Sequence, residues 1–119
     1  MTLANFTKRT PWKAKRNKMN AVQVRDPVHG LFHSKREHAR YHVLLIMQRA
    51  KEIRGLERQV KFSFDLNGIH IGTYRADFVY FKGEKRIVED SKTEPSKTEA
   101  YGLRKRMMSA FYNIDILET

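Results

Sequence analysis

The first regular pattern of apolar positions starts near Ser34 and has the spacing of an α-helix. The segment Ser34 to Glu37 has the form of a capping box, in which the serine and glutamate side chains each bind a backbone N–H of the first turn. Apolar residues then recur every three or four positions, at Ala39, Val43, Ile46, Met47 and Ala50. Because glycine commonly ends helices, the pattern predicts a helix that stops at Gly55.

Beyond Gly55 the spacing changes to the alternation of β-strands. Asn67-Gly68, the favoured pair for a type I′ turn, follows the first alternating run. We therefore expect a hairpin whose return strand spans about residues 69–81, with a bend at Gly72. The apolar positions of the first strand are Val60, Phe62, Phe64 and Leu66.

The rest of the chain predicts one more strand, a second helix and a short final strand. The third strand runs from Arg86 to Lys92 after a turn at residues 82–85, and Pro95 interrupts the pattern. Thr98 can cap a helix that continues to about Phe111, and residues 114–117 form a short, edge-like strand. The order α, β, β, β, α, β predicts one α/β domain over residues 26–119, with a mixed sheet flanked by helices.

The first 25 residues differ in composition and predict a basic, mobile arm. They contain no acidic residue and show no sustained period, whereas the whole chain has a formal charge of +11 and a pI near 10.1. Such a charge favours a polyanionic partner, with nucleic acid the leading choice, although a solvated tail is the simpler alternative. Trp12 can stack on a base or pack back on its own domain. The cations expected to contact phosphates here are Lys8, Arg9, Lys13, Lys15, Arg16 and Lys18.

Composition excludes several classes of protein. The chain has 119 residues, enough for one domain with a core, and it has no cysteine, which excludes disulfide scaffolds and cysteine-ligated zinc. The longest apolar run, residues 43–47, is far too short to span a membrane, and no secretory signal is apparent. We expect a cytoplasmic protein with no membrane association and no small-molecule cofactor.

Acidic residues occur in two neighbouring strands, where they are unexpected. Aspartate is disfavoured inside strands, and like charges that face each other are destabilising unless a cation lies between them. If the connecting loop spans residues 82–85, counting back sets Asp77 opposite Asp90, with Lys92 on the same face and Glu89 on the reverse. A two-residue loop is expected to shift the pairing by two and preserve this arrangement. A three-residue loop would substitute Glu89 for Asp90.

These acids suit a divalent metal. Two carboxylates and a main-chain carbonyl, here that of Ser91, are hard oxygen ligands of the kind that Mg²⁺ and Mn²⁺ prefer. Such an ion activates water and neutralises charge on a phosphate, while an ammonium group two residues along the strand orients that water. The sequence therefore predicts a phosphodiesterase site at Asp77, Asp90 and Lys92.

With these residues the sequence resembles the PD-(D/E)XK nuclease superfamily, which has an α-β-β-β-α-β restriction-endonuclease-like core. Over roughly residues 28–118 it is most similar to a small phage-encoded family of unknown function, and its layout is shared by phage junction-resolving endonucleases and the TnsA-type transposon nuclease. Ala76 stands where the superfamily name has proline. The similar segments are Gly30-Leu31-Phe32, Ser34-Lys35-Arg36-Glu37, Tyr41, Ile53, Leu56-Glu57-Arg58-Gln59, Phe62, Ala76-Asp77-Phe78, Val88-Glu89-Asp90-Ser91-Lys92 and Tyr112-Asn113-Ile114.

The resemblance implies a metal-dependent DNA endonuclease. It implies that Glu37, Asp77 and Asp90 bind Mg²⁺, with Mn²⁺ as a substitute, and that Lys92 assists catalysis. Gln59 is expected near the site. Likeness to resolvases implies a homodimer that acts on branched DNA, such as a Holliday junction in phage recombination. It also implies the cytoplasm of a bacterial or phage-infected cell. The alternative is a DNA-binding or phage accessory protein that has the nuclease fold but does not cut.

Each candidate residue also has a purely structural interpretation. Glu37 can serve only the capping box, and Asp77 can pair with Arg75 or Arg86. Asp90 and Lys92 can simply be the end of a strand. Glu89, the second-choice metal ligand, needs a helix partner on the reverse face, for which we expect Arg104 or Lys105.

Two further sets of residues leave alternatives open. Arg104 and Lys105, on the second helix, can follow the DNA backbone or form a solvated face. His38 and His42 lie four residues apart on the first helix and can hold zinc, although no third ligand has a matching spacing. His29 and His33 only weakly suggest an HNH-type site.

Overall fold

The computed structural model describes residues 22–119. By its internal contacts the chain divides into residues 1–35 and residues 36–119. The predicted arm lies mostly outside the described residues, so its boundary at residue 25 stays a prediction.

The first unit contains a small hairpin that the sequence did not lead us to expect. Strand β1 (Val24–Asp26) pairs antiparallel with β2 (Gly30–Phe32). Asp26 stabilises the turn because its Oδ1 accepts the backbone N–H groups of Val28 and His29, at 2.8 and 2.9 Å. Strand β1 begins inside the segment that composition had assigned to the arm.

Helix α1 (Lys35–Arg49) begins where the sequence predicted and ends six residues before Gly55. Lys51 has a left-handed backbone, with φ of 66°, and takes the role expected of glycine. The N–H groups of Lys51 and Glu52 donate to the carbonyls of Gln48 and Met47, each at 2.9 Å. The predicted stop at Gly55 was therefore wrong, because a lysine closes the helix and Gly55 lies in the next strand.

The face that α1 turns toward the core also differs from the predicted one. Leu44 and Glu37 are its fully buried residues, whereas Val43 and Ile46 are exposed. The hydrophobic spacing was misleading because charged side chains of α1 are directed at the sheet, where they find partners. The predicted apolar stripe of α1 is thus wrong at Val43 and Ile46, whereas Met47 does pack against the core cluster that contains Leu44.

Residues 36–119 form a mixed α/β fold built on one four-stranded sheet. Strand β3 (Arg54–Leu66) pairs antiparallel with β4 (Ile69–Lys82), and β4 pairs antiparallel with β5 (Lys85–Asp90). After helix α2 (Glu99–Tyr112), strand β6 (Leu117–Glu118) joins β5 in parallel. The sheet order is β3-β4-β5-β6, so the short last strand is at an edge, as expected, although it spans residues 117–118 rather than 114–117.

The turns of the β3–β4 and β4–β5 hairpins can be compared with the predicted turn types and strand pairing. Asn67 and Gly68 have φ of 53° and 77°, the positive values of the expected type I′ turn. The turn between β4 and β5 contains two residues, because Lys82 still pairs with Lys85, yet the pairing is the one expected of a four-residue loop. Phe78 pairs with Glu89, so the register sets Asp77 opposite Asp90. The expectation that a two-residue loop shifts the pairing was wrong, because this shorter turn adds a pair without moving the others.

The helices pack on opposite faces of the sheet. A cluster on one face joins Tyr101 and Met108 of α2 to the strands, and a cluster on the other face contains Leu44 of α1 with Phe78 and Tyr80. Adjacent residues on β4, such as Val79 and Tyr80, belong to opposite clusters, which is the alternation of a strand covered on both sides.

This alternation reverses once, at Asp77. Tyr74 and Ala76 face α2, whereas the next two even-numbered positions of β4, Phe78 and Tyr80, face α1. Opposite Asp77, between the paired residues 58 and 60 of β3, Gln59 has a left-handed backbone with φ of 53°. A left-handed backbone is unfavourable for residues other than glycine and commonly marks functional positions.

Helix α2 agrees closely with its prediction. The hydroxyl of Thr98 accepts the N–H of Tyr101 at 3.2 Å, which caps the first turn. Asn113, with φ of 56°, ends the helix. The segment around Pro95 forms a single 3₁₀ turn, Glu94–Ser96.

Candidate active site

Asp77, Asp90 and Lys92 come together where β4 and β5 meet, on the α2 side of the sheet. Asp90 is 4% exposed and accepts a hydrogen bond from the hydroxyl of Tyr74 at 2.8 Å. One oxygen of Asp77 accepts the backbone N–H of Ser91 at 2.9 Å. Lys92 Nζ lies 3.9 Å from Asp90 Oδ2. Strands β4 and β5, with the segment after β5, therefore bring two carboxylates and an ammonium group together, although β5 ends at Asp90 and not at Lys92 as predicted.

The surroundings of Asp90 disfavour its charge. Burial and the adjacent carboxylate of Asp77 raise the pKa of Asp90, and the nearby Lys92 and Tyr74 offset this only in part. Burial next to Asp90 likewise raises the pKa of Tyr74, so that hydroxyl stays protonated and can donate. A pair of acids that repel each other in this way is stabilised by any cation that binds both.

Glu37, on α1, is linked to the same region by hydrogen bonds from Gln59. The Gln59 amide nitrogen donates to Glu37 Oε2 at 2.9 Å and to Asp77 Oδ1 at 3.3 Å. Glu37 is buried, and Arg58 Nη2 lies 3.9 Å from the same Oε2. Gln59 thus links the two acids, which gives its strained backbone a structural reason.

The carboxylates of Glu37, Asp77 and Asp90 do not form one compact group of metal ligands. Within residues 22–119, Glu37, Asp77 and Asp90 do not form a group whose carboxylate oxygens all lie within 4.8 Å of one another. Hard oxygen ligands suit Mg²⁺ and Mn²⁺, and those ions commonly take one or two carboxylates and complete their shell with water. The residues present therefore fit such an ion at the Asp77 and Asp90 pair, with Glu37 one amide group away.

Ser91 lies next to both aspartates. Its hydroxyl is buried and, within the part of the chain that the structure describes, has no hydrogen-bond partner. A buried hydroxyl without a partner is costly and uncommon. A hydrated ion held by the neighbouring carboxylates would bring water molecules with which this hydroxyl can bond.

Glu89 does not belong to this group. It is fully buried on the reverse face, where Arg40 of α1 binds both its oxygens, at 2.9 and 2.7 Å. The hydroxyl of Tyr80 also donates to it, and that of Thr119 does so at 3.3 Å. The reverse face was predicted correctly, but the expected partners on α2 were wrong, because α1 covers this side of the sheet.

The two predicted DNA-contacting residues of α2 have partners within the fold. Arg104 Nε donates to the carbonyl of Thr73 at 3.1 Å, although Arg104 is exposed. Lys105 pairs with Glu118 at 3.0 Å. Hydrogen bonds from Tyr101, Lys105 and Lys97 lower the pKa of Glu118 to about 2. The charge of Lys105 is thus largely offset, and Arg104 has the more accessible cation.

The other predicted contacts lie outside the described residues. These are the basic side chains of the N-terminal segment, Lys8, Arg9, Lys13, Lys15, Arg16 and Lys18, and the indole of Trp12. Their contact with nucleic acid stays a prediction.

Sequence analysis missed the residues that support the site. Tyr74 belongs to the core cluster beneath α2, and its hydroxyl also binds Asp90, while Lys92 lies over the ring of Tyr101, 4.5 Å from its centroid. Arg40 was not singled out at all. A buried tyrosine needs a partner for its hydroxyl, and that requirement was the one available signal for Tyr74.

Compared with protein-family models, curated proteins and solved structures, the chain matches none. The likeness to PD-(D/E)XK nucleases therefore rests on the residues themselves. Among residues 22–119 no helix has the length and apolar character needed to cross a bilayer.

Proposed function

We propose that this protein is a metal-dependent DNA endonuclease that hydrolyses phosphodiester bonds. The observation that supports it most is the meeting of Asp77, Asp90 and Lys92 on one side of the sheet. Within the described residues, neither aspartate forms an ion pair with arginine, unlike Glu89 on the other side. Two adjacent carboxylates without such a partner are destabilising by themselves and suit a divalent ion.

Each residue has a defined part in this proposal. Asp77 and Asp90 would hold the ion, together with the main-chain carbonyl of Ser91, and Glu37, which here accepts from Gln59, would complete the set. When bound, Mg²⁺ or Mn²⁺ supplies positive charge that activates water and neutralises charge on the phosphate. Lys92, held between Asp90 and the ring of Tyr101, directs its ammonium group toward the same place and stabilises negative charge on the phosphate oxygens.

The remaining features of the proposal follow from the likeness to junction-resolving nucleases. The mixed sheet with a helix on each face is consistent with a restriction-endonuclease-like core. With one such site per chain, cutting both strands requires a second copy, so we propose a homodimer. The preferred substrate is branched DNA, such as a phage recombination junction, and the charge of +11 draws the polyanion to the protein.

The direct test is cleavage of supercoiled plasmid and of a four-way junction with Mg²⁺, Mn²⁺ or EDTA. We expect cutting with either ion, none with EDTA, and a loss of about 10³-fold or more in Asp77→Ala, since a metal supplies several kcal/mol of charge stabilisation. DNA affinity should be unchanged or stronger in this variant, because a charge that repels phosphate is removed.

The matched control is Asp115→Ala, which removes the same charge from an exposed residue between α2 and β6. It should cut as the wild type does. If Asp77→Ala retains activity, Asp77 has no part in the mechanism, and equal losses in both variants would point to net charge as the cause.

The second candidate function is DNA binding without cleavage, with the nuclease-like fold kept as a scaffold. The Gln59 amide between Glu37 and Asp77 favours it, because that hydrogen bonding satisfies both acids without an ion. Binding to a junction with no cleavage under any divalent condition would select this candidate.

A further inference from the structure

The geometry points to a second metal site on this protein, a two-histidine chelate for a transition-metal ion formed by His38 and His42 of α1. This site does not depend on the proposed nuclease activity. It differs from the carboxylate site in ligand type, and therefore in the ions that it selects.

The two histidines lie one helical turn apart, which places their side chains on the same side of α1. Their Nε2 atoms are 3.1 Å apart, with ring centroids 4.6 Å apart and ring planes at 88°. His42 is exposed and His38 is half-buried, so an ion from solvent can reach the pair.

The separation of the two nitrogens matches that of two imidazoles on one ion. With metal–nitrogen bonds of about 2.0–2.1 Å, two ligands at a right angle place their nitrogens about 2.9 Å apart, and two at the tetrahedral angle about 3.3 Å. The observed 3.1 Å lies between these values. Chelation then requires that the donating ring carry its proton on Nδ1 and that both Nε2 lone pairs turn toward the ion.

Ligand chemistry sets which ions this pair selects. Neutral imidazole suits Zn²⁺, Ni²⁺ and Cu²⁺, whereas Mg²⁺ prefers oxygen ligands and binds the histidines poorly. The two imidazoles supply two nitrogen ligands, and the exposed His42 makes the site accessible to an ion from solvent. In the absence of a metal the same geometry serves as a hydrogen bond between the two rings.

The test is calorimetric titration of the full chain with Zn²⁺, supported by Cu²⁺ electron paramagnetic resonance. Because the second imidazole binds intramolecularly, we expect His42→Ala and His38→Ala each to weaken Zn²⁺ binding by about 10²-fold. The double variant should be little weaker than either single one, since one imidazole cannot chelate. The Cu²⁺ spectrum should show two coupled nitrogens in the wild type and lose one of them in each single variant.

The matched control is His70→Ala, which removes a histidine of the β3–β4 hairpin that pairs with Asp65. It should bind Zn²⁺ as the wild type does. Conservative variants His38→Gln and His42→Gln, with helix content checked by circular dichroism, guard against a folding defect. Equal affinity in wild type and His42→Ala, or equal loss in His70→Ala, would reduce the pair to a hydrogen bond only and overturn the site.

Discussion

Glu89 and Asp90 are consecutive buried carboxylates on one strand, yet they lie on opposite faces of the sheet and have opposite electrostatic surroundings. Glu89 accepts hydrogen bonds from two nitrogens of the Arg40 guanidinium and from the hydroxyl of Tyr80. Asp90 lies beside another carboxylate, Asp77, with a single tyrosine hydrogen bond and an ammonium group 3.9 Å away.

The difference separates a structural acid from a candidate functional one. A buried charge with a bidentate partner is compensated within the fold and has little capacity left for a ligand. A buried carboxylate next to a like charge is poorly compensated, and such groups cluster at functional sites. Burial alone therefore does not distinguish the two residues, whereas the identity of the nearest charge does.

Removing the Arg40 side chain should have the largest effect on stability, because it leaves Glu89, like Asp90, without an arginine partner within the described residues. Arg40→Leu leaves Glu89 buried without its cation, and we expect the free energy of unfolding to fall by about 3 kcal/mol. Denaturant-induced unfolding measures it. The exposed Arg106→Leu of α2 is the control and should change stability by less than about 0.5 kcal/mol. An equal, small effect in both would mean that Glu89 is not compensated by Arg40.

Adding Mn²⁺, an ion that suits oxygen ligands, should act on the Asp90 face of the sheet. At about ten times the dissociation constant, Mn²⁺ should raise the free energy of unfolding by about 1.4 kcal/mol in the absence of DNA. Asp77→Asn should abolish this stabilisation, and Asp115→Asn should retain it. Stabilisation that persists in Asp77→Asn would place the ion elsewhere.

The pH dependence of the free energy of unfolding should show that the charge of the Asp90 carboxylate is poorly compensated in the fold. Its pKa is raised in the folded protein above the ordinary value of 3.8, so the folded state holds a proton that the unfolded state releases. Stability of the metal-free protein, measured in EDTA, should therefore fall as pH rises above that value, until Asp90 ionises in the folded state as well.

Asp90→Asn should remove this slope and raise the free energy of unfolding by about 1 kcal/mol at mildly alkaline pH, because the repulsion from Asp77 is lost. The asparagine can still accept from Tyr74. A slope identical to that of the wild type would show that Asp90 does not titrate in this way.

Ser91→Ala should have the smallest effect on stability. It distinguishes a role of the hydroxyl in the fold from a role beside a bound ion. Loss of a buried hydroxyl without a partner should leave stability unchanged or raise it by about 0.5 kcal/mol. If the hydroxyl bonds to water around a bound ion, cleavage should nevertheless decrease. A marked loss of stability would instead mean that the hydroxyl has a partner in the fold.

Several local features of the fold could be predicted because short-range chemistry decides them, although the cap of α1 at Lys51 was missed. Thr98 begins α2, Asn67 and Gly68 form the expected turn, and counting back from the second turn places Asp77 opposite Asp90. Caps, turns and register depend on neighbouring residues and on the period of a strand, so the sequence contains the information directly.

The sequence alone thus determined the order of the elements in residues 36–119, the position of the acids and the positive charge, but not the hairpin of β1 and β2. Tertiary structure decided that α1 buries Glu37 and Arg40 rather than Val43, because their partners, Gln59 and Glu89, come from distant strands. It also decided the reversal of alternation at Asp77. Periodicity describes one segment at a time, whereas a buried charge is tolerated only through a partner that the folded chain brings to it.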